Sequence, residues 1–168
     1  HIAKLLGCYE QPLQPYIHKA LSGHYTKIIN IGCAEGYYAV GFARAVPGLI
    51  SLAFDTDTNA QNSCRQLAEK NGVGDRVTIG GLFSPDDFAK FENEAALVFC
   101  DIEGAEEELL NPDLAPALRK LDIIVESHEC LRPGITQKLL TRFEATHTIE
   151  LIEDNGSRQL DNPPAWFT

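Results

Sequence analysis

The segment Ile28-Ile29-Asn30-Ile31-Gly32-Cys33-Ala34-Glu35-Gly36-Tyr37-Tyr38 constrains this chain more than any other. An apolar run stops at a glycine, passes through small residues and opens into an amphipathic stretch, with Ala39, Phe42, Ala43 and Val46 at helical spacing before Pro47-Gly48. That is a buried strand, a tight turn and a helix start. The same alternation recurs along the chain, which is the signature of βαβ units around a parallel sheet.

Strands are expected at 27–31, 49–54, 76–79, 96–100 and 122–126. A first helix should carry Leu13, Ile17, Ala20 and Leu21 on one face. Further helices follow at 38–46, after a Thr58-x-x-Gln61 capping box, after Ser84-Pro85-Asp86-Asp87, from Glu106 until Pro112 interrupts, and at 135–143. His147–Glu153, then Asn155-Gly156, reads as a hairpin with a type I′ turn. The fold expected is α/β and Rossmann-like, with a mostly parallel seven-stranded sheet in the order 3-2-1-4-5-7-6 and helices on both faces. A single domain is expected over 1–168, with a helical segment at 1–26, a core at 27–160 and a Pro-rich tail at 161–168 that covers the pocket.

A small-residue turn opening a helix is a place for a ligand, because positions 32, 34 and 36 let it approach the backbone and the helix offers unpaired N–H groups. A phosphate loop would need a Lys after the last glycine, and none follows Gly36. A dinucleotide loop would need glycines where Ala34 and Tyr37 stand. Glu35 would also repel a pyrophosphate. A ligand carrying a sulfonium and an ammonium suffers no such repulsion, so charge favours S-adenosylmethionine (SAM). Asp55, ending the second strand, can accept both ribose hydroxyls of an adenosine; dinucleotide enzymes place an acid here too, and a solvated acid would look the same.

The acids and the histidine at the later strand ends form a second constellation. Asp101 and Glu103 follow strand four, and Glu126 and His128 follow strand five. In a doubly wound sheet these ends share one edge, so they should surround one pocket. A reaction in which an acceptor must lose a proton needs a base, and an imidazole suits that task. His128 is the candidate base, with Asp101 and Glu126 orienting acceptor or imidazole. Blander readings stay open: Glu103 and Glu106 can cap the next helix, His128 can be structural, and an Asp/Glu/His set can hold a divalent metal. No dedicated metal site is assigned.

Asn30-Ile31-Gly32-Cys33-Ala34-Glu35-Gly36-Tyr37-Tyr38 is similar to the D-x-G-A-x-x-G-x-[YF] loop of SAM-dependent methyltransferases of the FkbM type. Ala53-Phe54-Asp55 resembles that family's A-F-E. Asp101-Ile102-Glu103-Gly104-Ala105-Glu106 resembles its D-[VI]-E-G-x-E, and Val125-Glu126-Ser127-His128 its V-E-x-H. The resemblance implies SAM as cofactor, held by Asn30, Gly32, Cys33, Ala34, Glu35, Gly36, Tyr37, Asp55, Thr56 and Asp101, and a sugar or small-molecule hydroxyl as acceptor. Two departures stand out. Asn30 replaces the acid that helps hold the amino group of SAM, keeping an acceptor but no charge, and Asp55 replaces Glu with a shorter reach. Asn162-Pro163-Pro164 resembles the [DN]-P-P-[YFW] motif of amino-methylating enzymes, but Ala165 follows and the position is wrong.

Composition excludes other classes. The formal net charge is −10 with no Lys/Arg cluster, which argues against nucleic acid as partner. No apolar run approaches the roughly 20 residues that cross a bilayer. Five separated cysteines without a C-x-x-C pair indicate neither a disulfide framework nor a zinc site. Reduced thiols, and a start without signal-peptide layout, give a cytoplasmic expectation, while the leading His points to a trimmed chain. The rival functions are a non-catalytic SAM- or adenosine-binding interaction domain and a nicotinamide-dependent oxidoreductase, the latter disfavoured by the loop and Glu35.

Overall fold

The computed structural model describes residues 2–154 and 156. These divide into two compact units, His24–Ile149 and a smaller one formed by residues 2–23 with the described residues from 150 onward.

In the smaller unit, helix α1 (Ile2–Leu6) is followed by a 3₁₀ turn at Gln11–Leu13 and helix α2 (Gln14–Leu21). Pro12 and Pro15 sit in the first turns of these elements, where a missing N–H costs nothing. The Leu13, Ile17, Ala20, Leu21 face forms as expected, but half-buried. Helix α1 falls within the helical segment expected at 1–26.

In the larger unit, five parallel strands form one sheet in the order β3-β2-β1-β4-β5: β1 Lys27–Ile31, β2 Ile50–Phe54, β3 Val77–Gly80, β4 Ala96–Cys100 and β5 Asp122–Val125. All five residues of β4 are buried, as both covered faces of a parallel sheet require. Alternation sends Ile29, Ile31, Val98 and Cys100 into a core that also takes Phe83, Phe88, Leu118, Ile135, Leu139 and Phe143. The other face buries Ala53 and Val77 with Ala39, Val40, Ala43, Cys64 and Ala68. Those residues come from helices α3 (Tyr37–Ala45) and α4 (Thr58–Lys70), whereas helix α6 (Ile135–Phe143) lies on the first face.

The expectation of seven strands is corrected: the described residues hold five, all parallel. Residues 148–154 run without regular structure, and Ile149 and Leu151 are exposed. Asp154 Oδ1 accepts the Gly156 N–H at 2.8 Å, a local side-chain turn that competes with hairpin pairing. The other half of the expected hairpin and the Asn162–Trp166 segment lie outside the described residues. Two start signals also differ. Helix α4 is capped by Asp57, which accepts the Asn59 N–H at 2.8 Å, and Thr58 is its first residue. Ser84 and Asp87 do form a capping box, but over a 3₁₀ segment, Pro85–Phe91.

Candidate functional site

Strand β1 sits between β2 and β4, so the chain leaves its C-terminal end toward one side and later returns on the other. Crevices in open α/β sheets form at this switch point. The turn after β1 is fixed by backbone demands. Gly32 has φ +76°, and a Cβ there would lie 1.6 Å from the Asp101 carbonyl oxygen. Gly36, with φ +91°, caps α3, and a Cβ there would lie 2.5 Å from Cys64 Sγ. The closeness expected to serve a ligand is taken up by the protein's own backbone and by α4. Ala34, at φ +47°, is exposed.

Asp55 joins two loops. Its Oδ2 accepts the Ala34 N–H and its Oδ1 the Asp57 N–H, both at 2.9 Å. Each oxygen keeps a second lone pair, so accepting ribose hydroxyls remains open to it. Thr56 beside it is exposed. Asn30 is fully enclosed in β1. Its Nδ2 donates to the Phe99 carbonyl at 3.5 Å, and its Oδ1 has no hydrogen-bond partner among the described residues. Cys33 is buried, and a hydrogen bond with Cys64, then burial, pushes its thiol up, so it stays protonated. Tyr38 stacks on Phe99 of β4 at 4.1 Å between ring centroids, and its ring meets that of Tyr37 edge-on.

Across the switch point, the structure brings Asp101, Glu126 and His128 together: one ligand atom from each lies within 4.8 Å of the others. His128 is held from behind. Its Nδ1 is 2.7 Å from Oε1 of Glu106, the first residue of the short helix α5 (Glu106–Leu109). That oxygen also accepts the Gly104 N–H at 3.1 Å and the Ile102 N–H at 3.4 Å. Acting as an acceptor throughout, it assigns the proton to Nδ1 and leaves the Nε2 lone pair pointing outward. Nε2 faces Glu103 Oε2 at 3.5 Å, Asp101 Oδ1 at 3.6 Å and Glu126 Oε1 at 4.0 Å. Burial alone would lower the imidazole pKa. The Glu106 hydrogen bond and the charges of Glu106, Glu126 and Asp101 outweigh it and hold the pKa above 6.5.

Glu106 is the residue whose role sequence reasoning missed. The helix-cap reading is half right, since its carboxylate does gather loop N–H groups. But it is 0% exposed, its Oε2 has no partner among the described residues, and it fixes His128. An acid two residues after a glycine signals a helix start, whereas its contact with His128 comes from a segment that arrives later in the chain. Glu103 takes the left-handed conformation at φ +56°, and Gly104 follows at φ +100° with Leu131 and Arg132 against it. Three described non-glycine residues have positive φ, and two of them, Ala34 and Glu103, lie in these strand-end loops. Strained backbone of this kind collects at functional sites.

No protein-family model matches the sequence, and no curated protein matches it. Among solved structures, the precorrin-6y C5,15-methyltransferase of Geobacter metallireducens superposes with a TM-score of 0.60 at 15% identity, covering 83% of this chain and 72% of that one. An O-methyltransferase of Bacillus cereus, in complex with S-adenosylhomocysteine (SAH), gives 0.52 at 19%, covering 81% and 76%. A proposed O-methyltransferase of Klebsiella pneumoniae gives 0.53 at 17%, covering 81% of this chain. The chain spans 64% of that protein's length. The likeness establishes the Rossmann-like α/β fold that these methyltransferases share.

Proposed function

We propose that this chain is a SAM-dependent methyltransferase of the class I kind, acting on an oxygen acceptor. The observation that carries the reading is one arrangement: the Gly32–Gly36 turn, Asp55 and the Asp101–Glu126–His128 cluster all follow C-terminal strand ends around the switch point. The fold shared with methyltransferases, one of them bound to SAH, supports it. The FkbM-type resemblance and the O-methyltransferase neighbours support a small-molecule or sugar hydroxyl as acceptor.

The residues present fit SAM. Asn30 offers a buried acceptor oxygen without a partner among the described residues, which suits a donor such as the ligand's ammonium. Asp55 supplies lone pairs for ribose hydroxyls, and the Cys33–Tyr37 turn, with Glu35, supplies a binding edge without the phosphate chemistry of a nucleotide loop. When bound, SAM supplies a methyl group on a positively charged sulfur. The acceptor hydroxyl sits at the Asp101–Glu126–His128 cluster, which orients it and takes its proton; in the metal-free protein His128 Nε2 is the basic atom, kept outward by Glu106.

Calorimetry with SAH tests this. Wild-type protein binds it, and Asp55→Ala weakens binding about 30- to 1,000-fold, the equivalent of about 2–4 kcal/mol for two charge-assisted hydrogen bonds. Unchanged affinity in the variant would remove Asp55 from the cofactor site.

A further inference from the structure

We infer that Asp101, Glu126 and His128, with Glu103 within reach, form a site for one divalent transition-metal cation such as Mn²⁺. The distances carry the inference. A hydrogen bond from imidazole to carboxylate closes to about 2.9 Å. Here Nε2 stands 3.5, 3.6 and 4.0 Å from three carboxylate oxygens and is in hydrogen-bond range of none in good geometry. Atoms that share a cation at about 2.1 Å lie about 3.0 Å apart at right angles and about 3.4 Å apart at tetrahedral angles. The Nε2 spacings match shared ligation better than mutual hydrogen bonding, and the set, spread over 4.8 Å, would have to draw in to about 4.2 Å or less around the ion.

A second observation is independent of the carboxylates that face Nε2. Metal-bound imidazoles characteristically donate their other N–H to a carboxylate, which fixes the tautomer and the ring. Glu106 does this at 2.7 Å while wholly buried, and its remaining oxygen has no partner among the described residues. Mixed imidazole and carboxylate donors suit Mn²⁺ or Fe²⁺ better than a soft thiolate-seeking metal.

The cation's part in the reaction rests on the methyltransferase reading. A hydroxyl coordinated there loses its proton more readily, in the way metal-bound water does. With Nε2 occupied as a ligand, that proton passes to Glu103, whose side chain is 80% exposed, and on to solvent. The acceptor oxygen–carbon bond then forms as the sulfur–carbon bond breaks, and the sulfur keeps the electron pair as a neutral thioether.

The full chain, stripped with EDTA, is titrated with Mn²⁺ and followed by the loss of the free-ion electron paramagnetic resonance signal. SAH affinity is measured in parallel. One Mn²⁺ per chain is expected, with Glu126→Gln and Asp101→Asn each weakening it at least about tenfold. Glu126 is half-exposed, so its amide variant keeps the fold, and circular dichroism verifies this. Glu106→Gln, a positioning change that leaves every ligand in place, weakens Mn²⁺ about 10- to 100-fold. SAH binding without Mn²⁺ binding, or Mn²⁺ binding indifferent to both ligand substitutions, overturns the cation site and leaves the methyltransferase standing. Mn²⁺ binding lost in the variants, with no SAH binding, keeps the cation site and defeats the cofactor reading instead.

Discussion

Gly32 and Ala34 make opposite demands on the same turn. A methyl group at Gly32 would sit 1.6 Å from the Asp101 carbonyl oxygen, a position no rotamer can relieve because both atoms belong to backbone. Gly32→Ala is expected to destabilise the fold by about 3–5 kcal/mol, since β1 and the loop after β4 must part. Ala34 instead bears a left-handed φ of +47° in the open. Relief of that strain is worth about 1–2 kcal/mol, while glycine's extra unfolded-state freedom costs about 0.5–1 kcal/mol. Ala34→Gly should therefore be neutral or stabilising by up to about 1.5 kcal/mol. Urea denaturation of the two variants checks both signs; a Gly32→Ala protein as stable as the wild type would contradict the packing described. The residues of the site were legible because strand-end glycines and acids are punctuation in a parallel α/β sequence. What each of them touches was not: Gly32 faces a carbonyl from residue 101, and Glu106 meets the His128 ring, both contacts that only the folded topology creates.

At the scale of elements, start signals carry a pH dependence. The Asp87 carboxyl is held down to about 2 by the hydrogen bond from Lys90, then by the Ser84 N–H and hydroxyl. Glu129 is likewise lowered by the Gly134 N–H, the Thr136 N–H and the Thr136 hydroxyl at the start of α6. Both acids have folded values below their unfolded ones. Their stabilisation is complete above the unfolded carboxylate range near 4 and is lost as pH falls through the folded values. The stability gap between wild type and Asp87→Asn or Glu129→Gln should thus be present at pH 7 and close progressively below about pH 4. Urea midpoints across that range read it, and a gap that persists at pH 2 would mean the carboxylate charge was not responsible. Salt should shrink the Lys90 share, because that ammonium is well exposed. The five strands could be read in advance because strands buried on both faces appear as short unbroken apolar runs. The hairpin could not. Residues 148–154 hold no strand, Asp154 Oδ1 accepts the Gly156 N–H in a local turn, and the second half of the expected hairpin lies outside the described residues.

For the whole molecule, charge selects the ligand. A net −10 on the chain, with Glu35 in the first loop, sets a field that favours a cationic sulfonium and ammonium over a pyrophosphate. The field argument reaches beyond the loop motif, because it discriminates ligands that share the adenosine Asp55 would hold. SAM and SAH lack phosphates; NAD carries two. A ligand that binds only the native state stabilises it by mass action, by about 2.7 kcal/mol at a hundredfold excess over its dissociation constant. For a chain of this size each kcal/mol moves the midpoint by about 2–4 °C. SAM or SAH at that excess should therefore raise Tm by roughly 5–11 °C, whereas NAD at equal concentration should leave it within about 1 °C. Raising salt should narrow the difference between SAM and SAH, which differ in the sulfonium charge, without abolishing either shift. A shift with NAD equal to that with SAH would show that the adenosine half alone is recognised, and the adenosine-binding alternative would replace the methyltransferase.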